Sequence, residues 1–145
     1  MSRKVMVELE TTIEDNGQKE RSNTMQQGVF HHKQNMDVLT FEEQTEDGQQ
    51  INNMITIQQG KVSIKRSGVV SMHQQFRLNQ TTENVFRHPH GNIHMETYTD
   101  EVYYRPINDE QSGRLTIDYT VKLNGQTERK HALQLTYKDQ EEDSQ

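Results

Sequence analysis

Apolar and polar side chains trade places at every second position along most of this chain, and that period suits pleated strands with one covered face. Leu115, Ile117, Tyr119, Val121 and Leu123 fall on one side, opposite Thr116, Asp118, Thr120 and Lys122. The same alternation groups Val5, Val7, Leu9, Thr11 and Ile13 against Met6, Glu8, Glu10 and Thr12. It recurs in Val62 with Ile64, in Val70 with Met72 and Phe76, in Ile93 with Met95, and in Leu133, Leu135 and Tyr137. No helical period separates these segments, so an antiparallel meander is expected. A twisted sheet of that many strands curls or closes, which removes its edges. The expected fold is therefore all-β: a single antiparallel up-and-down barrel of about eight to ten strands, with a two-sheet sandwich as the alternative.

Glycines punctuate the pattern. Asn16-Gly17, Asp47-Gly48, Gln59-Gly60, Ser67-Gly68, His90-Gly91, Ser112-Gly113 and Asn124-Gly125 all read as turns. Gly28 alone falls inside a segment, where a bulge or bend is expected. The barrel domain is assigned to residues 1–138, and residues 139–145 read as a solvated acidic tail.

Composition enters through the core. Apolar residues make up 29% of the chain, against about 45–50% in ordinary domains. The difference is taken up by 17 Gln, 10 Asn and 14 Thr rather than by a charge block. With a net charge of only −6 and clear alternation, the chain reads as folded around a thin core. A hollow barrel is one way to fold with few core residues.

Several classes of function lose ground. There is no cysteine, hence no disulfide framework and no thiolate chemistry. Met1-Ser2-Arg3-Lys4 leads straight into Val5-Met6-Val7-Glu8, with no signal-peptide core and no apolar run long enough to span a membrane. A cytoplasmic location is expected. The basic clusters Lys61–Lys65–Arg66 and Arg129-Lys130-His131 are short, so no nucleic-acid partner is expected.

One stretch carries a family likeness. Arg66-Ser67-Gly68 is followed by Val70, Met72, Gln74 and Phe76 at alternate positions. Lys33-Gln34-Asn35, the run Gly91, Ile93, Met95, Thr97 and Thr99, the segment Gly113-Arg114-Leu115-Thr116-Ile117 with Tyr119, and the final Thr136-Tyr137 agree in order. Over nearly its whole length the chain resembles the YwiB-like family of small bacterial β-barrels, grouped with the lipocalin-like (calycin) folds. The resemblance implies a lipocalin-like barrel of uncharacterised function, and it brings no catalytic residues with it. The Gly-x-Trp signature of true lipocalins is missing, since the chain has no tryptophan.

The most informative residues are polar ones at covered-face positions. Arg66 continues the face of Val62 and Ile64. Gln74 lies between Met72 and Phe76, Thr97 and Thr99 extend the face of Met95, and Tyr119 sits between Ile117 and Val121. Unpaired polar groups cost about 1–3 kcal/mol to bury, so these need partners, water or a ligand. The candidate ligand-binding set is Arg66, Val70, Met72, Gln74, Phe76, Met95, Thr97, Thr99 and Tyr119. In the plainer alternative Arg66 pairs with a carboxylate at the barrel mouth, and the others satisfy one another.

Histidines at 31, 32, 88, 90 and 94 read as exposed, with no metal expected. No Asp or Glu is expected to face inward, since Glu42-Glu43, Asp100-Glu101 and Asp109-Glu110 read as strand ends or turns. No catalytic motif and no cofactor site stand out. The leading expectation is a non-catalytic barrel holding a small, partly apolar ligand, as a monomer or homodimer. The alternatives are a protein-interaction module, with Val69, Met6 or Tyr98 contributing to its surface, and a cofactor-independent enzyme.

Overall fold

The structure, a computed structural model, describes residues 2–107 and 112–140. Ten strands account for nearly all of them: β1 (Ser2–Asp15), β2 (Gln18–Lys33), β3 (Met36–Gln44), β4 (Gln50–Gln58), β5 (Lys61–Gly68), β6 (Met72–Phe76), β7 (Thr81–His88), β8 (Gly91–Arg105), β9 (Ser112–Leu123) and β10 (Arg129–Asp139). Chain neighbours pair antiparallel everywhere except between β6 and β7, and β10 returns to β1. No helix long and apolar enough to cross a membrane is present among the described residues.

The sheet rolls into a nearly closed barrel whose seam lies mid-chain. Strands β6 and β7 end the hydrogen-bonded order, and they meet through a single bridge. There Ser71 N–H donates to Arg87 O at 3.0 Å and Arg87 N–H to Ser71 O at 2.8 Å. The first and last strands, β1 and β10, lie instead inside the sheet. Arg3 Nε lies 2.8 Å from an Asp139 carboxylate oxygen across the β1–β10 pair. Asp139 thus closes the last strand rather than opening a tail, and residues 141–145 of that assigned tail lie outside the described residues.

Alternation builds the core as expected. Val5, Val7, Leu39, Ile55, Val62, Phe76, Leu115, Ile117, Leu135 and Tyr137 are buried in the middle of the barrel, and Val70 and Met72 are buried with Phe76. Burying each such side chain contributes about 1.5–3 kcal/mol.

Gly28 differs from expectation. Its register with Val5 on β1 and Phe41 on β3 is unbroken, so there is no bulge there. Close approach is the reason: an added Cβ would stand 2.7 Å from Thr40 O and 3.0 Å from a Val7 methyl. Gly28 also begins the β2–β3 ladder, so residues 18–27 of β2 pair only with β1. The bulge lies instead on β8, where register slips between Thr99 and Glu101. Asp100 and Glu101 therefore sit within a strand, not at its end.

Candidate functional site

Beyond Gly28 the first half of β2 and the last residues of β3 go separate ways, and the barrel interior is hollow beside them. The cavity there measures about 330 Å³. Ser22 and Thr24 of β2 line it on one side of the gap, and Phe41 and Glu43 of β3 on the other.

Across β3, β4 and β5 a polar row runs along the cavity wall. Asn53 lies opposite Phe41 and also opposite Arg66 in the strand register. Asn53 Nδ2 donates to Glu43 Oε1 at 2.7 Å, and Arg66 Nη2 reaches the same oxygen at 3.4 Å. Both charged side chains are about a quarter exposed, at 26% for Arg66 and 24% for Glu43. A charge that is half withdrawn from water keeps its partner, yet it can exchange it for a ligand group.

The opposite wall is more apolar. Met72, Met95, Val121 and Leu133 border the cavity with Tyr119 and His131. Tyr119 packs edge-on against Phe76 with centroids 4.9 Å apart, and its other neighbour is the His131 ring at 5.1 Å. Burial pushes the Tyr119 hydroxyl well above the usual tyrosine value, so it stays a donor. Burial first, and Arg129 second, lower His131 to about 4. At neutral pH its imidazole is therefore uncharged and offers one donor and one acceptor.

Of the nine residues singled out from sequence, Arg66, Met72, Gln74, Met95 and Tyr119 meet at this cavity. Phe76, Thr97 and Thr99 are buried, but they belong to the packing beneath it. Gln74 Nε2 donates to Thr97 Oγ1 at 2.9 Å, tying β6 to β8 behind the seam. Thr99 Oγ1 is buried with no hydrogen-bond partner. Val70 is buried and does not line the cavity.

Two expectations about acids are corrected. Glu43 faces inward, as does Asp37, which is 8% exposed. Both lie on β3 at the parity of Leu39 and Phe41, with Asp37 at the far end of the barrel. There Asp37 Oδ2 accepts from Tyr104 OH at 2.6 Å, and Asp37 Oδ1 lies 2.5 Å from His32 Nδ1. Tyr104 and Tyr137 hydroxyls are 2.6 Å apart, and Ile107 N–H donates to Tyr137 at 3.3 Å. Asp109 and Glu110 lie outside the described residues.

The surface groups are plainer. Met6 and Val69 are half-buried, while Tyr98 is exposed on β8. On the outer face of the β7–β8 hairpin, His94 Nε2 is 3.6 Å from a Glu83 oxygen and 4.0 Å from a Glu96 oxygen. Those three side chains are the set among the described residues whose spacing could hold a metal ion, and they are largely solvated.

Comparison with known proteins fits the architecture. Residues 7–135 match the model of a domain of unknown function, DUF1934. The uncharacterized β-barrel protein YwiB of Bacillus subtilis is 26% identical over 133 residues, which covers 92% of each chain. The crystal structure of the ywiB protein from the same organism matches with a TM-score of 0.86 at 24% identity, over 97% of this chain and 94% of that one.

Proposed function

This chain belongs to the DUF1934 family of β-barrel proteins of unknown function, and from that premise we propose that it is a bacterial, cytoplasmic, lipocalin-like barrel that holds a small, partly apolar ligand. The ligand occupies the cavity between β2, β3 and the β5–β6 wall, and the cavity itself does no chemistry. The observation that carries this reading is the row of Glu43, Asn53 and Arg66 placed beside Phe41, Met72 and Met95 around one hollow. A volume of about 330 Å³ lies at the small end of ligand sites, which usually measure about 300–1,000 Å³.

Arg66 anchors a carboxylate or amide oxygen, while Tyr119 and His131 bond a second polar atom. The methionines adapt to the apolar part of the ligand. Nucleic acid has no place in this reading, because the basic clusters Lys61–Lys65–Arg66 and Arg129-Lys130-His131 are short in a chain of net charge −6.

Native mass spectrometry of gently purified protein tests it, with a thermal-shift panel of short-chain carboxylic acids and amides. Wild type is expected to carry an extra small mass, or to melt higher with at least one panel member. The variant Met72→Trp, whose indole fills the hollow, is expected to do neither. A protein that is always ligand-free and whose melting no panel member moves would contradict the proposal.

A further inference from the structure

At the end of the barrel away from that cavity, the β2–β3 turn, the β4–β5 turn and Leu78 surround a cleft of about 870 Å³. Ile57, Leu78 and Val102 give it an apolar wall, and His32, Lys61 and Tyr104 border it as polar groups. It shares no lining residue with the cavity described above.

The hydrogen bonds beside this cleft converge on Asp37. Tyr104 gives its single proton to Asp37 Oδ2, so the bond between the two hydroxyls must be donated by Tyr137. Tyr137 in turn accepts from Ile107 N–H. Burial first, and the bond to Asp37 second, push the Tyr104 hydroxyl far above its ordinary value, so it remains a donor to the carboxylate. The remaining carboxylate oxygen faces His32 Nδ1 at 2.5 Å. A carboxylate already receiving a proton bond has none to give, so the neutral imidazole carries its hydrogen on Nδ1. Its Nε2 lone pair is then turned away from Asp37, on a side chain that is 64% exposed and borders the cleft. Tyr137, held by stacking on Phe30 at 4.9 Å, fixes the far end of this chain of bonds.

A base oriented by a buried carboxylate, open to water and set against an apolar wall, is the arrangement that activates water for acyl transfer. We propose that His32 and Asp37 form a water-activating dyad, and that this cleft hydrolyses carboxylic esters with a short apolar acyl group. His32 Nε2 takes a proton from water as the water oxygen bonds to the acyl carbon. The carbonyl π electrons move onto oxygen, where the Lys61 ammonium is the cation bordering the same cleft. Collapse re-forms the carbonyl and breaks the bond to the alcohol oxygen, which takes the proton back from the imidazolium. Ester and water become acid and alcohol, and the dyad is restored. Asp37 acts through His32 as a positioning residue. An ester suits this set better than an amide, because an alkoxide leaves more readily than an amine anion.

The full chain assayed with p-nitrophenyl acetate and butyrate tests the proposal. The expected second-order rate exceeds that of equimolar free imidazole by about 10²-fold or more, the usual scale for a positioned base. Butyrate is expected to react with the lower KM. His32→Ala is expected to abolish the excess, and its exposed position leaves the fold intact. His88→Ala, at the exposed end of β7, is expected to change nothing. Nitrogen-15 NMR should find the His32 proton on Nδ1. A rate no greater than free imidazole, a His32→Ala variant with the wild-type rate, or the proton resident on Nε2 would overturn it. Neither assay depends on the other cavity being occupied.

Discussion

Gly113→Ala is expected to cost about 3 kcal/mol or more, at the top of the range for overpacking a filled core. Gly113 lies directly opposite Tyr137 in the β9–β10 register. An added Cβ would run into the Tyr137 ring at Cζ, at the hydroxyl oxygen, and at Cε1 at 2.6 Å. A ring end can usually swing aside, but this one is fully buried, stacked on Phe30 and bonded to Tyr104. The backbone at Gly113 does not need the left-handed region, so the effect is steric. Urea denaturation measures it. The penalty should shrink by about 1 kcal/mol or more in a Tyr137→Leu background, because contacting residues are not additive. A Gly113→Ala protein within about 0.5 kcal/mol of wild type would show that Tyr137 is not packed as described.

The second large effect separates the filled part of the barrel from the hollow part. Leu115 is fully buried and directly opposite Leu135. Leu115→Ala should cost about 3 kcal/mol, a typical sum of lost transfer energy and a new void. Met95 borders the cavity and is half-buried. Its truncation enlarges a space that already exists, so Met95→Ala should cost only about 1 kcal/mol. Equal losses at the two positions, again by urea denaturation, would mean the cavity end is as tightly filled as the middle.

Much of this architecture was legible because apolar residues on most strands keep strict parity. On β9 the run Leu115, Ile117, Tyr119 and Val121 leaves no doubt about which side is covered, and all four are buried. The same logic extended to Arg66 on β5 and Gln74 on β6 placed both at the cavity.

What escaped has physical reasons. On β3, Val38 and Leu39 are adjacent apolar residues, so parity is blurred and the inward Asp37 and Glu43 were not expected. On β8 the slip between Thr99 and Glu101 moves the inward face from Met95, Thr97 and Thr99 to Val102 and Tyr104. A bulge of that kind flips every later side chain, and nothing in the local sequence announces it. Asn53 and His131 were more accessible. Asn53 shares parity with Ile51, Ile55 and Ile57, and His131 with Leu133, Leu135 and Tyr137. Reading polar residues along every strand, rather than only the clearest ones, would have found both.

Depth decides which inward residues can meet a ligand. Thr97, Thr99 and Phe76 share the face of Met95, Gln74 and Met72 but sit lower in the barrel, where neighbouring strands fill the space. Alternation reports side, not height. The height at which filling stops is set by where β2 leaves β3 at Gly28.

Thiol labelling reaches the hollow directly, because the natural chain has no cysteine to confuse it. Met72→Cys places a thiol on the cavity wall, and Val7→Cys places one in the filled middle. With a small methanethiosulfonate reagent under native conditions, the thiol at position 72 should react within about 100-fold of an unfolded control. The one at position 7 should wait for global opening, which is slower by several orders of magnitude. Equal protection at both positions would mean that solvent does not enter the barrel beside β2 and β3, and the binding proposal would lose its site.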